Sequence, residues 1–327
     1  MRGLLVAFLG LVMFGSTAAR AEWHSEFADK MGTRMEVRVW HHDAAEARRL
    51  IAAGMAEFDR IEAGMSTYRS DSEISRVNAL AAAGPVPIGA ELYGLVQRSL
   101  DMSVLSGGAF DITYDSVGRF YDFRSRVKPT EAEIREHLPQ IDYRHVLLDP
   151  ARRTIRFSVP GTRINLGGIA KGHAVERVVA LLRSRGVTNG LATAGGDTRL
   201  LGDRRGEPWV IGVRDPDDAD KMVTRLALDD EAISTSGDYE RYFDEGGERV
   251  HHILNPRTGK SASGIRSVTV VGPDAVMTEG LTKTIFINGP ESGIRLVESL
   301  GGYEAVVVDA QRRVFLSRGL QDLRKSP

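Results

Sequence analysis

The sequence has no cysteine in 327 residues. Disulfides, thiol nucleophiles, cysteine-held metals and a lipid-bearing cysteine are thereby excluded, and the fold must be held by its core, which a chain of this length can supply. Long apolar runs are also lacking. Beyond Leu4 to Phe14, no segment approaches the roughly 20 apolar residues of a membrane-spanning helix. An excess of either charge is missing too: 43 Lys and Arg face 44 Asp and Glu, interspersed along the chain. Neither nucleic acid nor an anionic membrane surface is indicated as a partner. No internal repeat, low-complexity tract or Pro, Ser or Gly linker interrupts numbers 22–327, so one domain is expected there, built of a single unit or two interlocked subdomains.

The one apolar run has a specific setting. MRGLLVAFLGLVMFGSTAARA offers a basic start at Arg2, a short hydrophobic stretch and a small-residue ending at Ala19-Arg20-Ala21. That is the pattern of a secretory signal cleaved after Ala21, which predicts a soluble, exported, periplasmic protein beginning at Glu22. Loss of Arg2 and Arg20 would move the net charge from −1 to −3.

Several familiar site motifs are absent. Gly259-Lys260-Ser261 resembles the tail of a phosphate-binding P-loop, but Leu254 stands where its first glycine belongs. GGIAKG at 167–172 lacks the G-x-G-x-x-G spacing, and no G-x-S-x-G nucleophile elbow occurs. The pairs His41-His42 and His251-His252 are adjacent, not spaced as zinc ligands on a helix.

Periodicity predicts the elements that are present. MEVRVW at 35–40 alternates as a strand; Ile51, Met55, Phe58, Ile61 and Met65 recur as on one helical face over Ala44 to Met65. A second helix is expected from Glu91 to Leu105, a hairpin from 145–149 and 154–159, and a helix from Gly172 to Arg185 stopped by Gly186. Strands near 190–194, 209–214, 223–228 and 267–272 precede helices at 276–287 and 291–300 and strands at 303–309 and 313–316. The stretch GAFDITYDSVGRFYDF is too mixed to assign. Short turns between many strands argue for mixed sheets, not a doubly wound one.

Three glycine clusters stand out: Gly107-Gly108, Gly167-Gly168 before Lys171, and Gly195-Gly196-Asp197. Each alone reads most simply as a tight turn. If they lie at strand-to-helix junctions, together with Lys171 at a helix start where a cation opposes the helix dipole, they point to an anionic ligand such as a phosphate. In HHILNPRTG, residues 251–259, the Asn-Pro turn would fix the backbone and aim a histidine as a general base; the simpler reading is a core histidine. In TEGLTKTIF, residues 278–286, Glu279 and Lys283 are spaced as an ordinary surface ion pair contributing about 0.2–0.5 kcal/mol.

Taken in order, MGT at 31, MSTYRSDSEISRVN at 65–78, GAFDIT at 108–113, INLGGIAKG at 164–172, GGD at 195, STSGDYERYF at 234–243, HHILNPRTGKSA at 251–262 and SVTVVGP at 267–273 resemble the ApbE family, the FAD:protein FMN transferases. The resemblance implies an α+β fold, mixed β-sheets flanked by helices around one FAD cleft. It implies an enzyme that cleaves the FAD pyrophosphate, joins FMN to a threonine or serine of an acceptor protein by a phosphoester, and releases AMP. The implied acceptor is a membrane-associated electron-transfer subunit. An FAD-binding carrier or electron-transfer accessory that has lost transfer, and a hydrolase splitting FAD with water, are the alternatives.

The resemblance also implies roles. Met31, Tyr68, Ala109, Phe110, Asp111, Asn165, Lys171 and Ile253 fall on FAD-holding positions, with the Tyr68 ring offered for stacking. Gly195, Gly196 and Asp197 fit a pyrophosphate turn, and His252 matches the base that deprotonates the acceptor. At the position of the metal-binding aspartate and the threonine four residues on stand Glu279 and Lys283, and Asn165 and Asn255 replace expected aspartates. Magnesium would have Gly168, Glu279 and Thr282 as its ligands. Otherwise the Lys283 ammonium takes the metal's place as a catalytic point charge, or metal binding and transfer are both lost.

Overall fold

The computed structural model describes residues 21–218 and 220–323. The expected leader, apart from Ala21, lies outside the described residues.

In chain order the described elements begin with β1 (Glu22–Lys30), β2 (Thr33–His41), α1 (Ala44–Met65), α2 (Glu73–Leu80), β3 (Val86–Pro87) and α3 (Ala90–Leu105). They continue with α4 (Asp115–Gly118), α5 (Glu131–His137), β4 (Val146–Asp149), β5 (Thr154–Phe157) and α6 (Ala170–Ser184). Next come β6 (Gly190–Ala194), β7 (Asp197–Leu201), β8 (Trp209–Arg214), β9 (Met222–Leu228), β10 (Ala232–Gly237), β11 (Tyr242–Glu245), β12 (Glu248–His251) and β13 (Ile265–Gly272). The chain closes with α7 (Ala275–Asn288), α8 (Pro290–Leu300), β14 (Glu304–Asp309), β15 (Val314–Leu316) and α9 (Arg318–Leu323).

Eight strands form the main sheet in the order β1-β2-β6-β7-β10-β13-β14-β15. The class is α+β, as expected. Every described pairing is antiparallel, however, so the sheets are not of mixed direction. The long helical excursions return the chain to strands running opposite to their neighbours.

Strand alternation divides the apolar residues between two cores. Ala192, Leu201, Ala232, Val270 and Val307 join the larger one, which contains residues of α1, α6, α7 and α8. Their neighbours Leu191, Leu200, Ile233, Val271 and Val306 face the other way and meet Trp209, Val213, Leu226 and Leu228 of the β8-β9 hairpin and Leu320 of α9. The sheet is thus covered on both faces.

Helix α7 lies at the centre, packed on α6, α8, β10 and β13. It is apolar or small nearly all round, as a buried helix must be. Asp274 caps it by accepting from the Val276 and Met277 N–H groups and is gripped by Arg98 at 2.8 Å. Along its inner side, Thr278 and Thr282 pair at 2.8 Å with Ser234 and Ser236 of β10. One helical turn of four residues nearly matches two residues of strand, so the two pairs are in register.

The expected helices and the 145–159 hairpin are present, with α6 beginning two residues early at Ala170. The strands β1, β3, β7, β10, β11 and β12 and the helices α2, α4, α5 and α9 were not anticipated. Strand β10, AISTSG, is buried yet poor in large apolar residues, because its serines bond to α7 instead of contributing hydrophobic area. Of the glycine clusters only Gly167-Gly168 precedes a helix. Gly195-Gly196 is the two-residue turn of the β6-β7 hairpin, with φ positive at Gly195 as in a type II′ turn, and Gly107-Gly108 follows the end of α3.

Candidate active site

A cavity of about 510 Å³ opens between the Ala109–Tyr114 segment, the Asn165–Lys171 loop, the β6-β7 turn, β8, β10, the His252–Pro256 loop and α7. Its size falls in the range of small-molecule sites. Ala109, Phe110, Asp111, Asn165, Gly168, Lys171, Gly195, Gly196, His252, Ile253 and Lys283 all line it. The chain therefore brings most of the residues singled out from sequence into the wall of one cavity.

Below that wall lies an ion cluster between α6 and α7. Glu279, fully buried, accepts the Gly172 N–H at 2.7 Å through one oxygen, and Lys171 at 2.9 Å and Lys283 at 3.4 Å through the other. No side chain of α6 itself caps its N-terminus. Glu279 does so from α7, placing a carboxylate at the positive end of the helix dipole. Lys171 also bonds to buried Asp197 at the start of β7.

Burial alone would raise the Glu279 pKa, but Lys171, Lys283 and the Gly172 N–H outweigh it and hold the carboxylate below its usual range. Burial and the Glu279 charge push Asp197 up against the pull of Lys171. For Lys171, burial is overcome by the two carboxylates, so its ammonium is strengthened, whereas burial lowers Lys283 with Glu279 opposing.

The close approach that makes this cluster possible depends on Gly172. A Cβ there would stand 2.2 Å from the Ala275 carbonyl oxygen, a backbone atom that cannot move aside. Gly196 is similarly constrained, with the Thr235 carbonyl oxygen 2.3 Å from a Cβ position.

The two adjacent histidines have different tasks. His251 is held on both ring nitrogens, Nε2 at 2.8 Å from the Ala262 carbonyl and Nδ1 accepting from the Ile253 N–H at 3.3 Å. His252 lines the cavity, and its Nδ1 is buried with no hydrogen-bond partner. Burial, then Arg241 and Lys283, push its pKa down to about 3. Its imidazole is therefore neutral but a weak base in the empty cavity, and its basicity rises when an anion there offsets Arg241 and Lys283. The Asn255 side chain accepts from the Arg257 N–H at 3.0 Å, so that asparagine organises the Asn-Pro turn. Lys260, the lysine of the discounted phosphate motif, reaches Glu131 at 2.5 Å on the surface.

Other residues support the walls or stand apart from them. Asp111 spends its carboxylate on the Thr113 N–H and hydroxyl and the Tyr143 N–H, which fixes the Ala109–Tyr114 segment. The Asn165 amide donates to Asp115 and Thr67 while its oxygen accepts from the Gly167 N–H, which fixes the glycine loop. Met31, Tyr68, Asp197, Glu279 and Thr282 are not in the lining. Tyr68 is 93% exposed. Met31, at φ +49°, and Gly32, at φ +69°, form the β1-β2 turn, which Arg241 clasps at the Gly32 carbonyl.

The residues proposed for magnesium do not fit a divalent cation. Both Glu279 oxygens are already engaged, two ammonium groups sit on one of them, and the Thr282 hydroxyl donates to the Glu279 carbonyl while paired with Ser236. No group of three His, Asp or Glu side chains suited to a metal occurs among the described residues.

Sequence reasoning missed Thr33, Tyr114, Ile211, Arg214, Tyr239 and Arg241, all of which line the cavity. Arg241 sits within the STSGDYERYF motif, so its signal was available. Arg214 lies on β8, far along the chain from any motif, and only the fold brings it in.

The sequence profile described as the ApbE family matches residues 31–307. Chains named FAD:protein FMN transferase from Treponema pallidum (strain Nichols) and Klebsiella pneumoniae (strain 342) are each 30% identical, over 98% and 93% of this chain and 94% of each relative. The solved ApbE protein of Thermotoga maritima is 29% identical with a TM-score of 0.85, covering 92% of this chain and 98% of its own. Flavin transferase ApbE from Vibrio cholerae is 26% identical with a TM-score of 0.82, covering 93% and 99%. With a family match over most of its length and relatives aligned almost end to end, the chain belongs to the ApbE family.

Proposed function

We propose that the protein transfers FMN from FAD to a serine or threonine hydroxyl of an acceptor protein and releases AMP. The observation that carries the reading, beside family membership, is the neutral imidazole of His252 lining the same cavity as Lys171 and Lys283. The acceptor oxygen forms a bond to the FMN phosphorus as the bond from that phosphorus to the oxygen bridging to AMP breaks. The hydroxyl proton passes to His252, and AMP leaves with the electron pair of the broken bond. Lys171, Lys283 and the β6-β7 turn hold the pyrophosphate, Phe110 and Ile253 pack on the bound nucleotide, and Asp111 and Asn165 keep the walls in place.

Export by residues 1–21, a single domain over 22–327, a periplasmic setting and a membrane-associated electron-transfer acceptor belong to the same proposal. No helix among the described residues is long and apolar enough to cross a membrane.

AMP release tests the reading. With FAD and an acceptor protein that presents a threonine, AMP should appear only when that threonine is present and cease when it is replaced by valine. AMP without any acceptor would make the protein a hydrolase. FAD retained without AMP in the presence of acceptor would make it a carrier.

A further inference from the structure

We propose that the Lys171 and Lys283 ammonium groups, held between Glu279 and Asp197, are the fixed cation of this site and that FMN transfer proceeds without a divalent metal. The inference rests on the transferase reading and goes beyond it, because it assigns the charge that stabilises the broken pyrophosphate to side chains of this chain.

The geometry argues it in three steps. First, the carboxylates already face ammonium groups: Lys171 is bonded to both Glu279 and Asp197 and Lys283 to Glu279, which leaves Asp197 Oδ1 as the one carboxylate oxygen of the cluster without a partner. A divalent cation entering here would meet two like charges and displace existing bonds. Second, the lysines reach the cavity while their partners do not: Lys171 and Lys283 line it, whereas Glu279 and Asp197 lie behind them. The lining is thus positive on balance, with Lys171, Lys283, Arg214 and Arg241 against Asp111 and Glu240. Third, the Lys283 side chain passes beside the glycine loop, its Cε and Cγ each 3.9 Å from a Cβ position on Gly168, and its Nζ is anchored by Glu279 at 3.4 Å. A point charge fixed beside that loop needs no reorganisation when the phosphorus–oxygen bond breaks and negative charge gathers on the departing AMP phosphate. Asn165 and Asn255 agree with this: they are spent on loop and turn hydrogen bonds and offer no carboxylate.

FAD affinity, and AMP release with a threonine-bearing acceptor protein present, are measured on the purified protein in EDTA and in excess magnesium, for the wild type, Lys283→Met and Lys283→Arg. The expected result is that wild-type FAD affinity and AMP release differ by no more than about twofold between the two conditions, while Lys283→Met weakens FAD binding about tenfold or more. Lys283→Arg, which keeps the charge, should retain more affinity than Lys283→Met. Equal melting temperatures for the two variants would separate loss of charge from loss of fold. Magnesium that tightens FAD binding or speeds AMP release by more than about tenfold in the wild type would overturn the proposal. So would a Lys283→Met protein that binds FAD like the wild type. If AMP appears in neither condition the transferase reading fails, and FAD affinity alone then decides the role of Lys283.

Discussion

His252 remains uncharged because its ring is buried beside Arg241 and Lys283, and that has a consequence for stability. In the unfolded chain a histidine takes up a proton below about pH 6.5, whereas in the folded protein His252 does so only at about 3. Between those values the unfolded state binds more protons, so stability falls as the pH drops through that window. His252→Asn should flatten the decline in melting temperature between pH 6.5 and 4.5; parallel curves for variant and wild type would show that the imbalance lies elsewhere. The sequence marked the histidine pair but not its division of labour. That division comes from the Ala262 carbonyl and the Ile253 N–H, which hold His251, and no spacing rule reveals them. For Glu279 and Lys283 the surface reading suggested by i, i+4 spacing alone is wrong: Glu279 is completely buried and supports the N-terminus of a different helix.

Among the elements, the contact between α6 and α7 determines the shape of the site. Gly172→Ala forces a Cβ against the Ala275 carbonyl and should cost about 1–3 kcal/mol of stability, with weakened FAD binding as the Glu279 cap is pulled away. Gly94, inside α3 with nothing within 4 Å of its Cβ position, is the contrasting case. Gly94→Ala should stabilise by about 0.5–1 kcal/mol, since alanine loses less backbone freedom in a helix. Thermal melts of the two variants check both signs, and a neutral Gly172→Ala would contradict the close approach. Helices α1 and α6 were legible because their apolar residues recur on one face over several turns. Strand β10 was not, since its burial is polar and its partners lie on a helix some forty residues further along.

At the scale of the whole molecule, the cavity is assembled from segments running from Thr33 to Ile287. FAD bound there should raise the melting temperature of the whole protein in one transition, the gain approaching about 2.7 kcal/mol at a ligand concentration a hundred times Kd. No shift with FAD would contradict the cavity as its site. The ordered series of motifs made the fold class and part of the cavity lining legible. Arg214 and the β8-β9 hairpin that carries it were invisible as site elements, because their place depends on the second core beneath the sheet. The most direct test of the account is the intact mass of a threonine-bearing acceptor after incubation with FAD and either wild-type protein or His252→Ala. The account predicts an acceptor heavier by one phosphoester-linked FMN with the wild type, and an unmodified acceptor with a His252→Ala protein that still binds FAD. Equal labelling by the two proteins would contradict it.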